Sequence, residues 1–551
     1  MFNMKNIFVI SVVLSVFAVS ASAQNLDPTV EVSREYEGKL VEAHKPVFKM
    51  AVPDSITRFA LDFDYYVHEN PYKGSYEFDP YLLSMKPSAS DNGENRFYLR
   101  AGAGYQPHPV FDMVWSPKFK RKGFNMDVYG NHKSFIGKYL EIVPYDVDDK
   151  LVLTNLPKGE NGYDTWSGYD MLTKAGVVFK HDWEKLALDY SAGYYGLAQK
   201  DPGVKRLYNA ADASIGFHSK PAARENLKVD ADLDYRFGED LAGDSRLYEN
   251  LGSLKLEIGQ IWKNSQSMNL GLVANIAHYS KAFELFAGDV SLTPRYVFTN
   301  DRFAADLGLK VSKMLTREDV GEQYVYPAVN VSYLLMPEAL KVFLKATGGG
   351  GFDSYASTIA SDHHVTHLMS PDILGYTVER VGLTAGFDGR LTDKFKYNIR
   401  GGYANYANYR HYTVIPTLSL VYAAAQKWFA ALDWMLDVEG FRFDGTVSYD
   451  HFWGDYVTML KPSALSGRSS VEYNWRRRIM VGVETEVATA RKMAAVSVPG
   501  YVDLGAYAEY ATAWGLSFWL SAGNLLNQTI QRTPFYAEKG VFFTAGICLN
   551  L

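Results

Sequence analysis

Four groups of residues have types and spacings that suggest chemistry. Asp362, His363, His364 and His367 place three imidazoles and a carboxylate within six positions. Such a set can hold zinc, nickel or copper, and the alternative is a solvated loop. Glu484 with Glu486, and Asp230, Asp232 and Asp234, fall on every second residue. Paired carboxylates suit acid–base work, but a polar face of strand explains them as well. Gly348 to Gly351 form a glycine run without the Lys-Ser/Thr that a phosphate-binding loop needs. The other reading is a strand that bends or is closely approached by another segment. Cys548 is the only cysteine, which excludes an intrachain disulfide and a cysteine-based zinc site. There is no nucleophile-elbow pattern, so an enzyme is not expected and no cofactor is called for.

The elements that would carry these groups follow from periodicity. Phe303, Ala305, Leu307, Leu309 and Val311 alternate with Ala304, Asp306, Gly308 and Lys310. Leu227 to Arg236 and Val541 to Leu551 repeat the pattern. Period 2 gives each strand one apolar and one polar face. In a membrane barrel the apolar face meets lipid and the polar face lines the lumen, whereas in a sandwich the same faces meet core and water. Tyr105, Tyr403 and Tyr510 on the outward face suit aromatic girdles.

Connection lengths separate barrel from sandwich. Short polar turns are expected at 117–122, 181–185, 220–226, 263–267, 299–302, 336–339, 392–394, 425–427, 476–478 and 513–515. Longer links are expected at 134–169, 239–252, 354–375, 443–467 and 529–540. Short periplasmic turns with longer extracellular loops characterise bacterial outer-membrane barrels. The reading is all-β: a transmembrane antiparallel barrel of 22 strands, the first rising at Arg96–Tyr105 and the last descending at Val541–Leu551. Gly445–Trp453 is taken as part of an extracellular hairpin.

The N-terminus fits this placement. Lys5, an apolar run from Ile7 to Ala18, and Ala21-Ser22-Ala23 read as a secretory signal peptide over residues 1–23. Loss of Lys5 takes the formal charge from −6 to −7, which gives no reason to expect a nucleic-acid partner. Residues 24–94 form a periplasmic or luminal segment, and 95–551 the barrel. Phe59, Phe63, Tyr65, Tyr76, Phe78 and Tyr81 crowd the segment with aromatics that want burial. They mark it as a lumen filler or as a docking piece for a protein partner in the periplasm or outer membrane.

The C-terminal fifty residues resemble those of TonB-dependent receptors. Asn524-Leu525-Leu526-Asn527 stands where that family carries Asn-Leu-Phe-Asn, at the outer end of the penultimate strand, and Gly540 precedes the last strand. The resemblance implies a 22-strand receptor-type barrel in the outer membrane, surrounded by lipid. Leu551 departs from the aromatic residue at which the family usually ends. The family's large N-terminal plug has no counterpart pattern in residues 24–94. The expected function is therefore a structural or accessory subunit of an outer-membrane complex, with an uptake channel for a nutrient or solute as the alternative. Something must fill so wide a lumen. Residues 24–94, the links 134–169 and 443–467, or a partner are the candidates.

Overall fold

A computed structural model describes residues 96–551, apart from 106, 148–149, 156–163, 221–226, 263–264, 316–323, 337–338, 370–372, 415–417, 455–458, 477, 495 and 513–514. The signal peptide and the aromatic segment with Phe59, Phe63, Tyr65, Tyr76, Phe78 and Tyr81 lie outside the described residues.

The elements run in chain order as follows. The first group is β1 (Phe97–Gly104), β2 (Val110–Trp115), β3 (Phe124–Leu140), β4 (Val143–Val147), β5 (Lys150–Thr154), β6 (Thr165–Asp182), β7 (Leu186–Lys200), β8 (Lys205–Ser219) and β9 (Leu227–Ala242). Then come β10 (Ser245–Trp262), β11 (Gln266–Lys281), β12 (Leu285–Thr299), β13 (Phe303–Met314), β14 (Val325–Met336), β15 (Leu340–Asp353) and the helix α1 (Tyr355–Ser361). The chain continues through β16 (Gly375–Thr392), β17 (Phe395–Thr413), β18 (Ser419–Val438), β19 (Phe441–Gly454), β20 (Leu465–Trp475) and β21 (Ile479–Ala488). It ends with β22 (Arg491–Met493), β23 (Val496–Val498), β24 (Tyr501–Ala511), β25 (Leu516–Gly523) and β26 (Phe542–Asn550).

All of these except β4, β5, β22 and β23 form one 22-stranded antiparallel sheet. The sheet closes because β1 pairs with β26, from Tyr98 opposite Asn550 to Gly104 opposite Thr544. Closure leaves no unpaired edge for lipid to meet. Cross-strand partners share a face, so the alternation carries round the ring. Leu307, Leu309 and Val311 point outward with 45%, 56% and 45% of their surface exposed. Asp306, next to Leu307, turns inward to the Arg295 guanidinium at 3.4 Å. Tyr403 packs across the outer face against Trp428, with ring centroids 5.1 Å apart. This exposed apolar wall requires lipid, and the protein is an outer-membrane barrel. Among the described residues no helix is long and apolar enough to cross a membrane; strands make the crossing.

Three sequence expectations need correction. Residues 425–427 are not a turn: β18 runs through them, and Lys427 faces inward to a buried ion pair with Asp450 at 3.1 Å. The turn is Glu439-Gly440, both residues at positive φ (26° and 85°), as a two-residue hairpin linking twisted strands demands. Gly445–Trp453 is consequently wall, inside β19, and the 443–467 link shrinks to 455–464. The link 239–252 is likewise mostly strand. Its charges resemble a loop, but β9 and β10 are joined by Gly243-Asp244 alone. The expected strand number holds because one turn was displaced rather than added.

The glycine run shows close approach. β15 is irregular between Thr347 and Gly349, and Gly349 has φ +143°. A Cβ on Gly348 would lie 3.0 Å from the Tyr326 side chain.

Candidate functional site

The outer mouth is roofed by the chain's own loops. Between β15 and β16 the chain turns into the lumen as a lid, described over residues 354–369 and 373–374. Ser354 caps α1 by accepting a hydrogen bond from Ser357 N at 3.2 Å. Tyr355, Ala356, Thr358 and Ile359 form the buried helix face. Tyr355 and Ile359 pack with Leu197, Tyr208, Leu247 and Tyr279 from the wall, together with Val365 and Ile373 of the lid.

Buried polar groups on the wall fix the lid. Arg206 on β8 donates from Nε to Asp240 at 3.0 Å, from Nη1 to the carbonyls of His363 (2.6 Å) and Val365 (2.8 Å), and from Nη2 to Tyr355 Oη at 2.8 Å. Tyr355 Oη in turn donates to Asp240. His367 bridges Asp240 (Nδ1, 2.9 Å) and Ser245 (Nε2, 3.0 Å). Glu249 on β10 accepts from Tyr279 Oη at 2.8 Å, Tyr208 Oη at 3.2 Å and the backbone N–H of Ala356 at 3.1 Å. Arg206, Asp240 and Glu249 are between 1% and 3% exposed, so each depends on these bonds to offset lost hydration. From β17, nine strands round the ring from β8, Arg410 donates to Thr358 Oγ1 at 3.0 Å and Tyr412 Oη to Asp362 at 2.5 Å. The lid thus spans the mouth from wall to wall.

Five other outer loops add to the roof. β4, β5, β22 and β23 form a small separate sheet, with β23 parallel to β5. Leu153, Val414, Leu418, Leu460, Val498 and Ala537 share one apolar core drawn from five loops. Arg532 ties that core to the wall through Glu486 at 3.0 Å and Asp503 at 3.1 Å. Lower down, inward side chains stay wet: Asp189, Asp232 and Lys228 are 37%, 41% and 47% exposed.

The imidazoles do not converge. His363 faces Asp170 at 3.7 Å, His364 faces Asp201 at 3.4 Å, and His367 is committed to Asp240. Among the described residues no three His, Cys, Asp or Glu side chains are grouped to hold a metal. Gln199 also touches His364 Nδ1 at 2.7 Å, and Tyr536 stacks on its ring at 3.9 Å. Burial alone would lower the His364 pKa. The hydrogen bond and charge of Asp201, followed by the charges of Asp362 and Asp170, outweigh burial and raise it to about 9. Glu486 holds Arg532, and Asp230 holds Lys228 at 2.6 Å, so these acids are occupied by ion pairs.

The resemblance motif is a turn. Asn524, 2% exposed at φ +47°, gives Nδ2 to the Gln528 carbonyl at 2.9 Å and takes Gln528 N on Oδ1 at 2.9 Å. Asn527 N donates back to Asn524 O at 2.8 Å, leaving Leu525 and Leu526 on the outside. Gly540 leaves room for Asn527, whose Oδ1 would lie 3.2 Å from an added Cβ. The motif ends β25 and launches the loop that carries Arg532 and Tyr536. Sequence reading missed Arg206, Asp240, Glu249 and Tyr355. Asp240 and Glu249 stand in the charged span 239–252, whose composition reads as a loop, and Arg206 and Tyr355 carry no distinguishing pattern.

No family model matches the chain, and no curated protein matches it. Solved structures do. The FrpB iron transporter from Neisseria meningitidis is similar at 10% identity, with 84% of this chain and 82% of that one covered and a TM-score of 0.62. The copper transporter OprC is similar at 11% identity, covering 83% and 80%, with a TM-score of 0.61. A ferric enterobactin receptor, PfeA from Pseudomonas aeruginosa, is similar at 10% identity, covering 83% and 80%, with a TM-score of 0.59. At such identity the likeness establishes the fold. That fold is the 22-strand outer-membrane barrel of TonB-dependent receptors, as the C-terminal resemblance implied.

Proposed function

We propose that this chain is an outer-membrane uptake barrel for a nutrient or solute, held shut at rest by its outer loops, with residues 354–374 as the moving part. The observation that carries this reading is how the lid is anchored. A permanent filler needs only apolar packing. Here Arg206, Asp240 and Glu249 are buried on the wall to bond a segment that enters from one loop. Buried charge pairs add little net stability, and their best-attested use is to set a register or a switch position, which suits a two-position element. The similar structures are named as transporters and a receptor, and uptake passes to this chain as part of the proposal.

Replacing residues 355–373 by a short Gly-Ser link tests it. Single-channel conductance and sensitivity of cells to large hydrophilic antibiotics should both rise. Unchanged values with a folded barrel would reject the lid as the barrier.

The accessory-subunit reading rests on the need of an empty lumen for a filler. The roof weakens that argument, since the chain's own loops close the mouth. What still favours a partner is the aromatic density of residues 24–94. Deleting 47–87 should abolish co-purification of a periplasmic or outer-membrane protein if the segment docks one, and raise conductance if it occludes the lumen. If neither changes, the segment is a passive tail.

A further inference from the structure

We propose that a small cavity between the lid and β17 binds a compact planar oxyanion of the carboxylate or bicarbonate class. The cavity encloses about 40 Å³ and is lined by Ser361, Tyr409, Arg410, His411, Tyr412 and Leu460, among others. That is room for about three water-sized groups. Its polar lining consists of a guanidinium, an imidazole and hydroxyls, with no carboxylate.

Arg410 is the centre of the argument. Its Nη1 and Nη2 donate to Thr358 Oγ1 at 3.0 Å and Ser361 Oγ at 3.4 Å, both neutral hydroxyls on α1. Among the described residues no carboxylate lies within ion-pair distance of Arg410, whereas Arg206, Lys427 and Arg532 in the same roof and upper wall each have one. Asp353, whose field Arg410 feels, is already bonded by the hydroxyls of Thr377 at 2.7 Å and Tyr422 at 3.2 Å. Asp362 is taken by Tyr412 and by the backbone N–H of His364 at 2.9 Å. Asp353 acts on Arg410 through space, while the direct bonds of the guanidinium go to neutral hydroxyls. Its planar fork matches a planar oxyanion better than a tetrahedral one. A bound anion would touch β17 through Arg410 and α1 through Ser361, and so would join lid and wall. The site stands whether or not the barrel transports anything.

The test is line broadening of carbon-13 formate by the full chain in detergent at neutral pH and constant ionic strength. Saturable broadening that unlabelled formate reverses is expected. Arg410→Gln should weaken it about tenfold or more, and Arg410→Lys, which keeps the charge but loses the fork, should fall between. Ser361→Val, which narrows the cavity, keeps the guanidinium and removes one of its hydroxyl acceptors, should also weaken it. Absence of saturable broadening with the unaltered chain overturns the proposal, as does unchanged affinity in Arg410→Gln. Phosphate competing as well as formate overturns the planar-anion assignment.

Discussion

Arg206→Ala is the sharpest perturbation of the lid. The change removes four hydrogen bonds, to Asp240, to the carbonyls of His363 and Val365, and to Tyr355 Oη. Asp240, 1% exposed, keeps Tyr355 and His367 but loses its cation. Breaking a buried pair from one side costs about 3–5 kcal/mol. At roughly 1.4 kcal/mol per tenfold, the open population of the lid rises about 100- to 4000-fold if the whole cost falls on the closed state. A thiol at position 359 reads this directly. Ile359 is fully buried in α1, and the native Cys548 is itself buried. Maleimide labelling of Ile359→Cys on intact cells should accelerate by that factor in the Arg206→Ala background. Arg206→Met with Asp240→Leu removes both charges and should return the rate most of the way, because no buried charge is left unpaired. Equal labelling rates with and without Arg206, in a folded barrel, would refute the assignment of Arg206 as the latch.

Other expectations follow from the same geometry. Leu307→Arg places a charge on the lipid face at a cost of about 2–4 kcal/mol at the bilayer midplane and should lower folded yield in a heat-modifiability assay, while Asp306→Asn on the luminal face should not. An epitope at the β4–β5 tip, beside the exposed Tyr145 and Val147, should be labelled on intact cells, and one at 263–265 should not; the reverse would invert the topology. The raised pKa of His364 makes its contribution to lid closure complete below its ordinary value of 6.5 and lost as pH rises through about 9. Amide exchange in α1 should therefore speed up between pH 7 and 10 after correction for intrinsic rates. Lys539 in the neighbouring loop, lowered to about 8 by burial, has the opposite sign, so the comparison is the chain against His364→Gln, which should lose the His364 component.

What was legible in the sequence is what depends on neighbours two residues apart. The alternation of Leu307, Leu309 and Val311 with Asp306 and Lys310 states which side of a wall each residue takes, and lipid on one side makes a register slip costly. Strand count and closure followed from it. Turn placement was less secure, because Ala423-Ala424-Ala425 interrupts the alternation and Gln426-Lys427 looks like a polar turn. In the fold Lys427 is an inward residue matched by Asp450 on the next strand, a pairing that local composition cannot announce. The actual turn, Glu439-Gly440, carried only the faint signal of one glycine.

The lid was illegible for a related reason. Its partners are Arg206, Asp240 and Glu249, between 107 and 159 residues upstream of the groups they bond, and Arg410, 49 to 52 residues downstream, and they come from opposite walls. Taken singly, Asp240 and Glu249 are luminal charges of the kind every barrel needs, and His363, His364 and His367 are a histidine-rich loop. Only closure of the sheet brings β8, β9 and β10 to face β17 across one mouth, and only then do the acids and imidazoles find each other in pairs rather than around a shared ion. The same closure explains why β9 and β10 continue as strand through 236–249, apart from the turn at Gly243-Asp244. There the inward face mixes Asp240 and Glu249 with the apolar Leu247 because it meets the lid, so a pattern that looks like loop composition is the binding surface of a segment more than a hundred residues downstream.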